Sequence, residues 1–202
     1  MIAIIDYGMG NLRSVQKAFE FLGFTAKITS SAKTLKDASH IVLPGVGAIA
    51  DAMKSLIQKN LDKEIYRQTK AGKPFLGICL GMQLLLNNSL ENGNHPCLGL
   101  VEGTVKPFKL DNPSLKIPHM GWNSINFEDC TLFNGLPQNS YVYFVHSYHA
   151  AEVAQHNIAA TCNYGGDFVC GVVNDNIYGL QFHPEKSGAV GQTILKNFGG
   201  LK

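Results

Sequence analysis

The chain has 202 residues, of which 45% are hydrophobic and 16% charged, with a formal net charge of +2. That length lets one domain, residues 1–202, bury a sizeable core. The near-neutral balance and the lack of a basic cluster exclude an electrostatic nucleic-acid binder, and no segment approaches a membrane span of ~20 apolar residues.

The N-terminus, MIAIIDYGMG, lacks the basic start and the apolar length of a signal peptide, which points to the cytoplasm. Ile2–Ile5 reads as a buried strand. Asn11 can cap a helix in which Leu12, Val15, Phe19 and Leu22 share a face, with Gly23 ending it. Between them, Asp6–Asn11 carries Gly8-x-Gly10, but Arg13 stands where a dinucleotide fingerprint needs its third glycine. Ala26–Thr29 and Ile41–Leu43 are the next strands. Asp51 to about Thr69 is predicted as one helix. Phe75–Ile78 is a strand and Leu80–Asn87 a helix. The second half is strand-rich: Leu98–Phe108, Gly121–Phe127, Tyr141–Tyr148, Ile158–Cys162, Phe168–Asn174 and Ile177–Phe182. Asn174-Asp175-Asn176 predicts a hairpin turn, and Ala189–Phe198 a closing helix. Strand–helix alternation followed by strands predicts an open α/β sheet, mostly parallel, with helices on both faces and an antiparallel flank.

Chemistry concentrates at Lys73–Leu86, KPFLGICLGMQLLL. An apolar run enters Gly77-Ile78-Cys79-Leu80-Gly81 and leaves as a helix-like segment. This has the form of a nucleophile elbow with Cys in place of Ser. It holds the thiol at a helix N-terminus, where the dipole favours thiolate, and aims the Leu80 N–H at a developing oxyanion. The flanking glycines allow the sharp turn and leave room for substrate. A second glycine turn, Pro44-Gly45-Val46-Gly47, ends another apolar strand. Near the C-terminus, Tyr178–Gly188 reads YGLQFHPEKSG. Pro184 keeps His183 extended, and in an extended segment residues two apart point the same way. His183 and Glu185 thus form a base held by a carboxylate.

The other cysteines, Cys97, Cys130, Cys162 and Cys170, form no C-x-x-C pair with each other or with Cys79. An odd, unpaired set fits a reducing compartment. His146 and His149 lie three apart, but no third ligand is evident, so no metal site is expected.

GICLGMQ at Gly77–Gln83, PGVGA at Pro44–Ala48 and QFHPEKSG at Gln181–Gly188 resemble class I glutamine amidotransferases, which have a flavodoxin-like fold. DYGMGNLRSV at Asp6–Val15, PHMGWN at Pro118–Asn123 and YFVHSY at Tyr143–Tyr148 narrow the likeness to the glutaminase subunits of imidazole glycerol phosphate synthase. The resemblance implies that Cys79 attacks the carboxamide of L-glutamine, that His183 moves the proton, and that Glu185 orients His183. It implies an oxyanion hole from Leu80 N–H and an N–H of Val46 or Gly47, and a glutamine pocket lined by Gln83, Ser147 and Tyr148. No cofactor is implied. The implied partner is a separate (β/α)₈-barrel cyclase subunit, forming a heterodimer that receives the ammonia. Asn11, Arg13, Trp122, Tyr143 and Lys186 are expected on the face toward it, Trp122 being equally compatible with ordinary core. Three alternatives stay open: a paralogous glutaminase serving acetamidino-sugar synthesis, a non-enzymatic binding protein on the same scaffold, and a cysteine hydrolase such as a γ-glutamyl peptidase.

Overall fold

The computed structural model describes residues 1–202. The first half alternates strand and helix: β1 (Ile2–Ile5), α1 (Leu12–Phe21), β2 (Ala26–Thr29), α2 (Ala32–Asp37), β3 (His40–Gly45), α3 (Ile49–Gln58), α4 (Leu61–Lys70), β4 (Phe75–Cys79) and α5 (Leu80–Gln83). Short strands β5 (Asn88–Ser89), β6 (His95–Pro96) and β7 (Thr104–Pro107) follow. Then come β8 (His119–Phe127), β9 (Ser140–His146), β10 (Tyr148–Ala151), β11 (Ile158–Asn163), β12 (Asp167–Asn174), β13 (Ile177–Leu180) and α6 (Gly188–Gly199).

One sheet runs β2-β1-β3-β4-β13-β12-β10-β7-β5-β6, and β11 leads off from β12 to β8 and β9. The pairs from β2 to β13 are parallel. From β13 to β12, β10 and β7 they are antiparallel, as are β11, β8 and β9 among themselves. The expected parallel centre with an antiparallel flank is what forms.

Both faces of the parallel part are covered, so its strands are apolar throughout. In β1, Ile2 and Ile4 join one core cluster while Ala3 and Ile5 join the other. In β3, Val42 sides with the first, and Ile41 and Leu43 with the second. This is the two-residue alternation of a strand between two packed layers. No helix is long and apolar enough to cross a membrane.

Several local expectations need correction. The helix expected from Asp51 to Thr69 is two helices, broken at Lys59 and at Asn60, whose φ is +53°. Asn tolerates the left-handed conformation that turns the chain there. The apolar spacing runs through the break, but Ile57 is 54% exposed and belongs to no core face. Helix α2 was not expected. It is capped by the Ser31 hydroxyl, which accepts from Thr34 N, and buries only Leu35, too little for a visible period.

Two further corrections share a cause. The helix after Cys79 stops at Gln83 rather than Asn87, and Leu98–Val101 is not a strand. The N–H groups of Leu98, Gly99, Leu100 and Val101 bond instead to the carbonyls of Leu84, Leu86, Leu85 and Leu85, at 2.8–2.9 Å. This returning segment satisfies the carbonyls that follow the helix end. The strand expected over Tyr141–Tyr148 is likewise split at Ser147 into β9 and β10. The hairpin turn is present, with Asn174 paired to Ile177 and Asp175 at φ +51°.

Candidate active site

Cys79 sits where β4 ends and α5 begins, with φ +56° and ψ −112°. A non-glycine residue held there stores ~1–3 kcal/mol of backbone strain. The strain has a visible effect. Alternation along β4 would turn Cys79 toward the layer of Phe75, yet it packs with Leu76 and Ile78. The turn is enforced by close backbone packing. A Cβ on Gly81 would collide with the Leu43 carbonyl oxygen, and one on Gly77 would lie 2.6 Å from the Gly81 carbonyl oxygen. These glycines therefore serve helix–strand contact, rather than leaving room for substrate as the sequence suggested. The helix is a single turn, so the charge effect at Cys79 rests on its first free N–H groups, Leu80 among them, more than on a long dipole.

His183 Nδ1 lies 2.8 Å from Glu185 Oε1, with both side chains almost fully buried. The pair is not built on an extended segment. Pro184–Lys186 is a 3-10 turn, which swings Glu185 back beneath His183. The His183 backbone is clamped to β9: its N–H donates to the Tyr143 carbonyl, and its carbonyl accepts from Ser187 Oγ, which in turn accepts from Tyr143 N. With Nδ1 given to Glu185, Nε2 is left free, buried and without a hydrogen-bond partner. Burial alone would depress the His183 pKa. Hydrogen bonding from Cys79 and Glu185, with a smaller contribution from their charges, outweighs it and pushes the imidazole up to about 10.

Cys79 and His183 open into one cavity of about 340 Å³ that Val46, Gly47, Leu80, Gln83, Ser147 and Tyr148 also line. Every residue expected in the oxyanion hole and pocket is thus brought together, at the carboxyl ends of β3 and β4. In the glycine turn, Gly47 has φ +98°, whereas Gly45 is paired in β3 and is required for space: a Cβ there would strike the Tyr7 hydroxyl. Gln83 is buried, not on a helix surface. Its Nε2 donates to the Tyr148 carbonyl (3.1 Å) and to Gln181 Oε1 (2.9 Å), and Gln181 Nε2 lies 3.9 Å from Cys79 Sγ.

Sequence reading missed three residues here. Gln181 supports Cys79 as just described. Glu91 lines the cavity and accepts from Ile49 N at 2.7 Å, capping α3 from a distance. His146 also lines it, with both ring nitrogens hydrogen bonded inside the protein. Their signals were absent because each acts through a tertiary contact, not a local pattern.

Of the residues expected to face a partner, Trp122 is 54% exposed and so is not core. Its ring meets Tyr143 edge-on at 6.2 Å, and Lys186 Nζ lies 5.9 Å from the centre of the Tyr143 ring. Met120, 60% exposed, extends the patch. Asn11 and Arg13 lie at the exposed start of α1; Asn11 Oδ1 caps it by accepting from Ser14 N, and Arg13 bonds Gln16.

Comparison with known proteins agrees with this geometry. The family model described as glutamine amidotransferase class-I matches residues 3–199. The imidazole glycerol phosphate synthase subunit HisH of Geobacter sulfurreducens is 50% identical, over 100% of this chain and 99% of its own. That of Syntrophotalea carbinolica is 48% identical over the full length of both chains. Among solved structures, PurLQS from Thermotoga maritima matches with a TM-score of 0.76 at 22% identity, covering 98% of this chain and 96% of that one. A crystal structure of a glutamine amidotransferase matches with a TM-score of 0.76 at 17% identity, over 98% and 100% of the two chains. An elbow cysteine, a carboxylate-held histidine and full-length kinship all agree: the chain belongs to the class-I glutamine amidotransferase family, among the HisH subunits of imidazole glycerol phosphate synthase.

Proposed function

We propose that the chain is one glutamine amidotransferase domain that hydrolyses L-glutamine to glutamate and ammonia through Cys79, His183 and Glu185. The observation that carries this reading is the strained Cys79 sharing a cavity with a histidine gripped by Glu185. Cys79 Sγ attacks the carboxamide carbon, and the carbonyl oxygen becomes an oxyanion beside Leu80 N–H and an N–H of the Val46–Gly47 segment. His183 Nε2 takes the Cys79 thiol proton as Sγ attacks and gives it to the departing nitrogen, and ammonia leaves a thioester. Water then attacks the thioester carbon, His183 takes its proton, and glutamate departs as the thiol is restored. Glu185 keeps Nδ1 protonated and Nε2 facing the reaction. Glu91 places a carboxylate in the same cavity, suited to the α-ammonium group of glutamine.

The relatives are named as synthase subunits, which supports a place in histidine biosynthesis over the surface-glycan alternative. We infer a heterodimer in the cytoplasm with a (β/α)₈-barrel cyclase subunit, which uses the ammonia to make imidazole glycerol phosphate and aminoimidazole carboxamide ribotide. The patch of exposed Met120, Trp122 and Lys186 around half-buried Tyr143 has the aromatic character of an interface anchor. Gly47, at φ +98° and outside the β3 pairing that fixes Gly45, tolerates backbone conformations that other residues avoid, so docking can turn the second oxyanion donor inward. Missing one such donor costs ~10²–10³ in rate. The test is steady-state glutaminase activity of the full chain alone, with the cyclase subunit, and with that subunit plus its nucleotide ligand. Stepwise activation is expected. No glutamine hydrolysis in any arm would overturn the function, and full activity of the chain alone would overturn the gating.

A further inference from the structure

His119 on β8 and His146 on β9 face each other across the strand pair, and both are nearly fully buried. His119 Nδ1 and His146 Nε2 are 2.9 Å apart. The other nitrogen of His146, Nδ1, lies 2.8 Å from the Tyr148 carbonyl oxygen. That oxygen can only accept, so Nδ1 carries the proton and Nε2 of the neutral ring accepts. His119 must then donate from Nδ1 and accept at Nε2. Asn123 Nδ2, 3.3 Å away, is the donor it needs. The Asn123 amide is oriented independently, since Nδ2 also donates to the Asn163 carbonyl and Oδ1 accepts from Ser124 N. Every bond therefore runs one way, from Asn123 through His119 and His146 to Tyr148.

The direction excludes charge on either ring. A second proton on His146 would set two N–H groups against each other at 2.9 Å, and one on His119 would face the Asn123 donor. Burial acts in the same sense, holding His119 down to about 4 and His146 to about 3. The His119 ring is also sandwiched between Tyr164 and Phe144, with centres 4.0 and 4.7 Å away. Neither side chain is free to turn.

The relay ends on the wall of the Cys79 cavity. The Tyr148 carbonyl takes a second donor, Gln83 Nε2, which also holds Gln181 toward Cys79. Ser147, where β9 breaks into β10, lies between His146 and Tyr148. The other end lies on β8, which exposes Met120 and Trp122.

We propose that His119 and His146 are positioning residues, a one-way neutral hydrogen-bond relay that fixes the Ser147–Tyr148 wall of the substrate cavity and ties it to the strand bearing Met120 and Trp122. The proposal rests on the reading that this cavity takes glutamine. Two measurements test it separately. Long-range ¹H–¹⁵N correlation on the full chain at neutral pH should show both histidines as neutral Nδ1–H tautomers; an Nε2–H tautomer or an imidazolium at either residue would overturn the relay whatever the substrate. Glutamine binding is then titrated calorimetrically in a Cys79→Ala background, which needs neither turnover nor partner. Adding His146→Leu should weaken binding by about tenfold, the worth of one hydrogen bond. Adding His146→Asn, whose Nδ2 stands where Nδ1 stood, should restore it to within about threefold on the same scale. Unaltered binding by the Leu variant, or no rescue by Asn, would overturn the positioning role. If Cys79→Ala alone binds no glutamine, the substrate reading is what fails, and the tautomers alone decide the relay.

Discussion

Gly81 lies so close to the carbonyl oxygen of Leu43 that no side chain fits between α5 and β3. The obstruction is backbone, which cannot swing aside. Gly81→Ala is expected to cost about 3 kcal/mol or more, toward the upper end for overpacking. Denaturant unfolding of the full chain reads this directly, and an unchanged midpoint would contradict the packing.

Cys79 combines strain with chemistry, so its variants should separate the two. Cys79→Ala and Cys79→Gly should both abolish glutamine hydrolysis while leaving ammonia-dependent synthesis by the partner intact. Glycine accepts a φ of +56° without penalty, so the Gly variant should match or exceed the Ala variant in stability, by ~1 kcal/mol. An electrophilic glutamine analogue should label Cys79 alone. Burial pushes the Cys97 and Cys162 thiols up to about 12 and raises Cys130 and Cys170 as well. Labelling at any of those four would point to another nucleophile.

His183 and Glu185 predict a pH signature. Hydrogen bonding and charge from Cys79 and Glu185 outweigh burial and push the folded imidazole up to about 10 from an ordinary 6.5. A raised value means that the stabilisation is complete below pH 6.5 and is lost as pH rises through 10. The basic limb of the glutaminase profile should therefore lie near pH 10. Glu185→Gln should move that limb to lower pH and retain more activity than His183→Ala, which removes acid and base together. A limb that stays in place in Glu185→Gln would refute the assigned orientation.

Tyr7 is 1% exposed and its hydroxyl has no hydrogen-bond partner. Burial, with a smaller contribution from the Cys79 charge, keeps that hydroxyl protonated well above the usual tyrosine range. Removing an unsatisfied buried polar group should help the fold. Tyr7→Phe is expected to raise stability by ~1 kcal/mol. A lower unfolding midpoint would mean that the hydroxyl has a partner in solution.

The central parallel strands and the placement of Cys79, His183 and Glu185 were legible because local sequence encodes them. Apolar runs such as Ile2–Ile5 and Phe75–Ile78 are buried on both faces, and Gly77, Cys79 and Gly81 meet within one turn. What escaped reading is set by distant residues. The helix after Cys79 ends where Leu98–Val101 returns to cap it, and no local pattern in Leu80–Asn87 reports that. His183 and Glu185 do meet, but through a 3-10 turn that Pro184 initiates, not through strand alternation. Gln181, Glu91 and His146 reach the cavity only once β13, the β5 region and β9 are in place.

The strand order carries a consequence for assembly. β13, formed by Ile177–Leu180, is inserted between β4 and β12, with parallel pairing on one side and antiparallel on the other. Until it arrives, the sheet is two separate pieces with unsatisfied edges at its centre. The strand that closes this gap leads directly into Gln181 and His183. Biosynthesis therefore delivers Cys79 early and His183 late, so under the proposed mechanism a partly made chain holds a nucleophile without its proton carrier. Contacts of such long sequence separation also make sheet closure a slow step of folding, so competence and completion coincide in time.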